Sequence, residues 1–528
     1  MKTYGSSDAD YGESVVCDAF GNVYIASSFG NVMMMDTFHL NYAGHQDGII
    51  SKIDSTGKII WTQSFGGMYD DIVNYLALSP DGYLIIAGYI NDSCILGNIP
   101  VYGRGNKDAF VAKLDTSNGD VLWVKTAGSQ YGYEEASALC VDSLNNIWVG
   151  GKFMYYMIAE TDTLVSNGSI DFFILKYDAN GNLLQSNSFG GASVDNISSF
   201  SCDAANNIYF CGAFSDTMQI GNFTIASAGF LDVFWAKMDE NENISWVKRG
   251  GGTNTETVSC IRAFRDGSYY MSGWVQDSAW FDGELLVGNA EDLFLASFDA
   301  NNQLRWIKQG FSINAGDKAR SITLDKYNNV YLAGQSNFII QRLEDTGGRM
   351  ESIANACPFG DLVFLKYDTS GTMLWMEHTL STNFNIANGI AIDNLGNCFV
   401  TGYYTDSIWL ASFLKTAAGG SDILLFRFHD ETFKINDGIY TVKEKDLNAD
   451  VYPNPAEDDF YVNIFSEKGR RPCAVKMYSM QGVKISEWKI YLDEGMNVLQ
   501  FNSGASPGMY MLSLEAGDEH ARLKLILH

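Results

Sequence analysis

The sequence predicts an all-β chain: a seven-bladed β-propeller of four-stranded blades, followed by a small immunoglobulin-like β-sandwich. Two periodic motifs and one change of pattern predict it. The first motif is a short apolar run ending in a small residue: GNVYIAS (21–27), GYLIIAG (82–88), NNIWVGG (145–151), NNIYFCG (206–212), GSYYMSG (267–273), NNVYLAG (328–334) and GNCFVTG (396–402). Its last positions are spaced by 61, 63, 61, 61, 61 and 68 residues. The second motif is an apolar run opened by Asp47, Asp108, Asp171, Asp232, Asp292, Asp361 and Asp422 on the same beat. A fixed period this long marks a repeat architecture, in which each unit buries its apolar face against its neighbours. The pattern changes near residue 430.

Each repeat reads as four strands. An apolar first strand such as SVVCD or SITLD leads through a tight turn (Asp18–Asn22, Asp325–Asn329, Asp393–Asn397) into the Tyr-rich second strand. A linker of about seventeen residues follows; loops this long are uncommon and often functional. The Asp-initiated third strand passes through a second turn, DSTG (54–57) or DANG (178–181), to a fourth strand marked by Trp61, Trp123, Trp246, Trp306 or Trp375, with Gln185 in that place once. Branched and aromatic strands joined by Asp/Asn/Gly turns are the hairpin pattern. Four-stranded units repeated in a ring leave only short protected edges.

These residues resemble the SBBP family of bacterial β-propeller repeats, over residues 1 to about 436. The marks are the Trp61–Gly67 and Trp246–Gly252 runs (W-x-x-x-x-G-G), the D-x-F-x-x-K-x-D strand and the G-N-x-Y-x-x-G strand. The family is named for its fold and implies no common activity. Aligning the repeats puts Met1 one place after the position of Trp61. The last blade then needs a fourth strand, which either residues 431–440 or a segment upstream of Met1 would supply.

Residues 437–450 read as a polar linker. Residues 451–528 carry short alternating strands between turns, the pattern of a small sandwich. Their order also resembles the C-terminal sorting domain of the type IX secretion system of Bacteroidota. The matching residues are Tyr452, Pro453, Asn454 and Pro455, then Gly482, then Gly508 before Tyr510, and the apolar run Leu523–Leu527. The resemblance implies passage through the type IX secretion machinery, with release or attachment at the cell surface. No transmembrane run and no signal peptide is read at Met1, so the expected leader would lie upstream.

The net charge is −28, of which the tail carries −2 and the rest −26. Such an acidic chain repels nucleic acid and anionic membranes. The nine Cys form no C-x-x-C pair and no metal spacing, and the six His are scattered. There is no G-x-S-x-G elbow or phosphate loop.

In a four-stranded meander the long 2–3 linkers and the blade connections share one face. Variable loops on a rigid scaffold carry binding sites, so function is expected there. One series stands out: Asp10, Asp71, Glu134, Asp195, Glu256, Asp317 and Asn385, each eleven residues before the turn glycine or its equivalent. If they ring the channel mouth, they suit a cation such as calcium or a cationic ligand. The alternative is a scaffold role in which each side chain bonds backbone N–H groups, and occurrence in every repeat favours it. Departures from the repeat are Met33, Met34 and Met35 with His39 and His45, and a longer sixth linker (335–360) with Arg342, Arg349 and Cys357. The function expected is a non-catalytic binding or adhesion scaffold with no cofactor, recognising an extracellular protein or glycan. The alternatives are a carbohydrate-active enzyme using channel carboxylates and a structural component of a surface assembly.

Overall fold

The computed structural model describes all residues except 311–315, 337–359, 382, 411–412, 431, 433–444, 447, 453–458, 467, 480–483, 503, 506–507, 518 and 528. The described residues are all-β, with no helix among them. The chain divides into two compact units, Met1–Phe433 and Lys434–His528.

Among the described residues, the first unit holds seven four-stranded antiparallel units, called sheets 1 to 7 in chain order, the fourth and fifth joined by pairing of Gly250–Gly252 with Ala279–Phe281. Sheet 1 is typical: Tyr11–Cys17, Val23–Phe29, Asp47–Ile53 and Ile59–Gly67 pair in succession. The turn between its first two strands shows why the sequence folds so. Asp18 Oδ1 accepts the N–H groups of Phe20 and Asn22, both at 2.9 Å. Gly21 sits at a φ of 75°, and the equivalent places are held by Asn145, Asn206 and Asn328 at 64°, 60° and 67°. The left-handed region admits Gly and Asn, which explains the alternation seen there in the motif.

The first strands touch in cyclic succession. Tyr11–Cys17 packs on Ile72–Leu78, that on Glu135–Val141, then Asp195–Cys202, Glu256–Ala263, Lys318–Leu324 and Asn385–Ile392, which returns to Tyr11–Cys17. Apolar clusters fill the spaces between sheets. Tyr24, Trp61 and Phe65 of sheet 1 pack with Leu84, Phe110 and Leu114 of sheet 2, and Ile25 and Ile49 pack with Phe399 and Ile423 of sheet 7.

The repeated residues act between and within sheets. Trp61 Nε1 donates to the carbonyl of Thr116 in the next sheet at 3.1 Å, and Trp123 and Trp306 repeat the bond to Ala179 and Thr369. Asp108 is fully buried and accepts Arg104 N–H at 2.9 Å. The paired glycines are required by this packing. A Cβ on Gly66 would lie 2.1 Å from Asp47 Oδ1, and one on Gly67 would lie 2.2 Å from the Ser93 carbonyl.

Three sequence expectations are corrected here. The strand beside Asp422–His429 is Lys2–Tyr4, with Lys2 opposite Leu425 and Tyr4 opposite Ile423, where residues 431–440 or a segment upstream of Met1 were expected. Of residues 431–440, residue 431 and residues 433–440 lie outside the described residues. The long linkers are also not free loops. In repeat 2 the linker forms the hairpin Ser93–Leu96 and Ile99–Tyr102, which pairs with the fourth strand of the preceding sheet through Cys94 opposite Gly67. Repeats 3, 4 and 5 do the same, and the repeat 7 hairpin pairs with Leu380–Ser381, just past the fourth strand of sheet 6. The physical reason is an exposed edge: each fourth strand presents unpaired backbone groups, and the following linker covers them. Finally, Met33 and Met35 are buried and only Met34 is exposed, because Met33–Met35 is one strand of such a hairpin opposite Phe38–Leu40. His39 is exposed opposite Met34, and His45 is exposed nearby. The sixth-linker residues Arg342, Arg349 and Cys357 lie outside the described residues.

The described residues of the second unit form two sheets. One runs Lys445–Asp446, Glu519–Leu527, Gly508–Ala516, Arg471–Ser479 and Lys484–Leu492; the other runs Asn448–Tyr452, Asp459–Ser466 and Gly495–Asn502. Phe460, Val462 and Phe501 of the smaller sheet pack on Val475, Met477 and Leu512 of the larger. This is the expected sandwich, but it starts earlier: Ala449 and Val451 alternate into its core, so the second half of the expected linker is strand. Tyr452 ends its strand, Gly508 opens another, and Tyr510 pairs with Leu525. Pro453, Asn454, Pro455 and Gly482 lie outside the described residues.

Candidate functional site

All seven first strands carry a β-bulge at the same register. The residue left out of the pairing is Glu13, Asn74, Ser137, Ser198, Ser259, Arg320 and Asn388, in chain order. A bulge re-aims one side chain out of the regular alternation. All seven of these residues line one cavity of about 420 Å³. The signal was present in the sequence: each is a polar residue three places after a member of the acidic series. Sequence reasoning passed over it because a bulge is a backbone event with no residue type of its own.

Three of the seven bind neighbouring sheets. Asn74 Nδ2 donates to the Ala136 carbonyl at 2.9 Å, Ser137 Oγ to the Ile197 carbonyl at 2.6 Å, and Asn388 Nδ2 to the Gly12 carbonyl at 2.9 Å. Each acceptor directly precedes the next sheet's bulge. Glu13 and Arg320 are the two formal charges in the set and break this neutral pattern. Burial pushes the Glu13 carboxyl up to about 7, Glu135 adds to the rise, and Ser28 and Arg320 oppose it. Burial lowers the Arg320 guanidinium, against the pull of Tyr403, Glu291, Tyr75 and Glu13. Arg320 Nε is buried with no hydrogen-bond partner.

Other charges lining the cavity are occupied. Lys152 pairs with Glu135 at 3.2 Å. Arg262 Nη1 donates to the Ile261 carbonyl at 2.9 Å and to Ser199 Oγ at 3.2 Å. Tyr75 spans the cavity and donates to the Ser198 carbonyl at 3.1 Å.

Half-buried aromatic side chains flank these strands at their N-terminal ends. Tyr11 meets Tyr403 edge-on at 4.8 Å; Lys107 lies 3.6 Å over the Tyr89 ring, and Lys318 lies 4.8 Å over Trp274. The connections on the same side carry exposed Tyr69, Tyr131, Tyr133, Phe230 and Phe384.

The acidic series is placed elsewhere. Asp10, Asp71, Glu134, Asp195, Glu256, Asp317 and Asn385 are all buried, and none of them lines the cavity. Asp10 accepts N–H bonds from Ser6 at 2.5 Å and Gly30 at 3.0 Å; Asp71 accepts from Gly67 at 2.6 Å and Asn91 at 2.9 Å. Glu134 accepts from Ser129 at 3.2 Å, Asp195 from Gly191 at 2.6 Å and Glu256 from Gly252 at 2.9 Å. Asn385 instead donates to the Asn383 carbonyl at 2.9 Å. Burial raises the pKa of Asp10 to about 6, of Asp71, Asp195 and Glu256 to about 7 and of Glu134 to about 8. The sequence left two readings for these residues, a channel-mouth ring and a scaffold role, and the backbone bonds they make are of the second kind. These side chains turn sideways into the sheet connections, because the backbone N–H groups there need acceptors. Among the described residues, no group of three or more His, Cys, Asp or Glu is arranged to hold a metal.

Comparison with known proteins speaks to the tail. Residues 450–528 match the family described as the secretion system C-terminal sorting domain. A regulatory protein FlaEY of Caulobacter vibrioides is 27% identical over 194 residues, which cover 35% of this chain; the chain spans only 20% of the length of that curated relative. Among solved structures, a Synechocystis apocarotenoid oxygenase variant is 12% identical with a TM-score of 0.35, covering 80% of this chain and 95% of that one. Dimeric latent PorU of Porphyromonas gingivalis is 10% identical with a TM-score of 0.15, covering 74% of this chain and 32% of that one. Residues 450–528 are thus a type IX secretion sorting domain, which marks the chain for export to the cell surface or the extracellular space.

Proposed function

We propose that residues 1–433 form a seven-bladed β-propeller of the SBBP-repeat type. In this reading it works outside the cell as a non-catalytic binding module in a bacterium of the Bacteroidota. The propeller reading is supported by the cyclic contacts of the first strands and by the closing pair of Lys2–Tyr4 with Asp422–His429. The binding reading rests on one observation above all. Seven equivalent positions line one cavity, and Glu13 and Arg320 depart there from a neutral hydroxyl and amide pattern. A scaffold needs the repeated residues; a departure at a cavity wall is what a ligand selects. Exposed Tyr131 and Phe230 on the adjoining connections extend the surface, as interaction faces do. The reading needs no cofactor, and its export partner is the type IX machinery.

A second reading is a carbohydrate-active enzyme. It is favoured by Glu13, held near a neutral pKa by burial, lining the same cavity as Glu135. A carboxyl raised toward neutrality by burial is how a general acid is prepared.

The test is a glycan and protein array probed with the full chain, with product analysis of every ligand retained. Retention of intact ligand supports the binding module. Cleaved ligand, with loss of cleavage in Glu13→Gln at unchanged fold, replaces it with the enzyme.

A further inference from the structure

We propose that the cavity takes the acidic end of a carbohydrate, a sugar carboxylate seated on Arg320 with its ring carried by the aromatic rim. This rests on the binding reading above and names its ligand class.

Three observations converge. Arg320 lines the cavity, its Nε is buried without a partner, and among the described residues its guanidinium makes no ion pair. A carboxylate is the acceptor that matches the guanidinium fork with two parallel bonds. The cavity's other cations are already engaged, Lys152 with Glu135 and Arg262 with backbone carbonyls and Ser199. Glu13 faces the same space, and its carboxyl is held up to about 7. Near neutrality it is therefore partly protonated, which reduces its repulsion of an acid and lets it donate a hydrogen bond.

The rim specifies a sugar rather than a small apolar acid. Tyr69, Tyr131, Phe230 and Phe384 are exposed on the connections at the same end, and the flat faces of such rings suit the C–H faces of pyranoses. Lining groups such as Asn74, Ser198, Ser259 and Asn388 suit hydroxyls. A volume of about 420 Å³ lies within the usual range for small ligands, roughly 300–1,000 Å³. Tyr75 crosses the cavity, so the ligand enters end-on and does not thread through.

The experiment is calorimetric titration of the full chain with two oligosaccharides of equal length, one ending in glucuronic acid and one in glucose. The acidic chain is expected to bind at least about tenfold more tightly, the factor expected for a charge-assisted pair. Arg320→Gln should abolish the difference, and Arg320→Lys should keep only part of it, since a point charge replaces the fork. Thermal melts of both variants check that the fold persists. Equal binding of both sugars by the unchanged protein overturns the carboxylate site while leaving the binding module standing. Failure of both sugars to bind, with other array ligands retained in the cavity, also overturns the ligand class. Failure of every array ligand overturns the binding module itself.

A separate observation concerns Cys140 and Cys202. Their Sγ atoms lie 2.7 Å apart, across the packed first strands of sheets 3 and 4. An exported chain passes through an oxidising compartment, where thiols this close become linked. We infer that this pair is a disulfide in the exported protein. The two thiols lose two protons and two electrons to a disulfide-bearing oxidoreductase, whose own S–S bond is broken to two thiols as the new one forms. Peptide mapping of the secreted full chain, alkylated before reduction, should recover residues 140 and 202 in one linked pair. Recovery of both as separately alkylated thiols overturns it.

Discussion

The Tyr75 hydroxyl donates to the Ser198 carbonyl at 3.1 Å, joining sheet 2 to sheet 4 across the cavity. The two residues are 123 positions apart, with the whole of sheet 3 between them in sequence. At the register just after the bulge, the other sheets carry Ser14, Ala138, Ser199, Cys260, Ser321 and Gly389. One large side chain among six small ones fills the space they leave. Tyr75→Phe should lose that single bond, about 0.5–1.5 kcal/mol in a urea melt. Tyr75→Ala should open the cavity and admit longer ligands. An unchanged ligand-size profile in Tyr75→Ala would contradict the role of Tyr75 as a plug.

Asp430 ties the last sheet to the sixth. It accepts from Lys366 Nζ and Tyr331 Oη, both at 2.5 Å, and from Trp375 Nε1 at 2.8 Å. Burial raises its carboxyl, but Lys366, Tyr331 and Thr432 outweigh burial and hold its pKa at about 2. Asp430→Ala would leave the Lys366 ammonium buried without its nearest counter-charge, at a cost of about 3–5 kcal/mol. Urea unfolding of the first unit measures it, and a loss under about 1 kcal/mol would show that the ion pair is hydrated in solution.

The buried carboxylates give an inverted pH response. Folded Asp71 and Asp195 titrate at about 7 and Glu134 at about 8, against ordinary values of 3.8, 3.8 and 4.5. Between those limits the folded chain holds protons that the unfolded chain has released. Their contribution is present in full below the ordinary values and is lost as pH rises through about 7 to 8. Urea midpoints should therefore be lower at pH 8 than at pH 5. The seventh repeat already carries Asn385 at this position, so Asp71→Asn should fold and should flatten the response. A midpoint that rises between pH 5 and pH 8 would refute the assignment.

Gly128→Ala tests the first-glycine place of the paired-glycine motif, which repeat 2 continues with Ser129. The added Cβ would meet Asp108 Oδ1 at 1.5 Å, and that carboxylate is pinned by Arg104 N–H. Overpacking of a fixed neighbour costs about 1–3 kcal/mol or more. Gly469→Ala, with open space around its Cβ, is the control and should be near neutral.

Deletion of 451–528, expressed from the native gene in the organism of origin, should retain the first unit inside the cell envelope. Protease digestion of intact cells reads this directly: the full-length protein is cut or released, and the truncated one is protected. Surface digestion of both would mean that the tail is not the export signal.

The sequence by itself determined the repeat, its seven copies, the turns and the tail. Asp18 with Asn22, and Trp61 reaching the next repeat, are local or periodic features whose chemistry is written in residue type. Three things were decided only by tertiary structure. Lys2–Tyr4 found Asp422–His429 at the far end of the unit. The linkers folded into hairpins on the preceding sheet's edge, as Ser93–Leu96 did beside Gly67. The bulges gathered Glu13 and Arg320, 307 residues apart in sequence, on one cavity wall. All three depend on backbone hydrogen bonding between distant segments, which nearly any residue can supply and which therefore leaves little trace in composition or spacing.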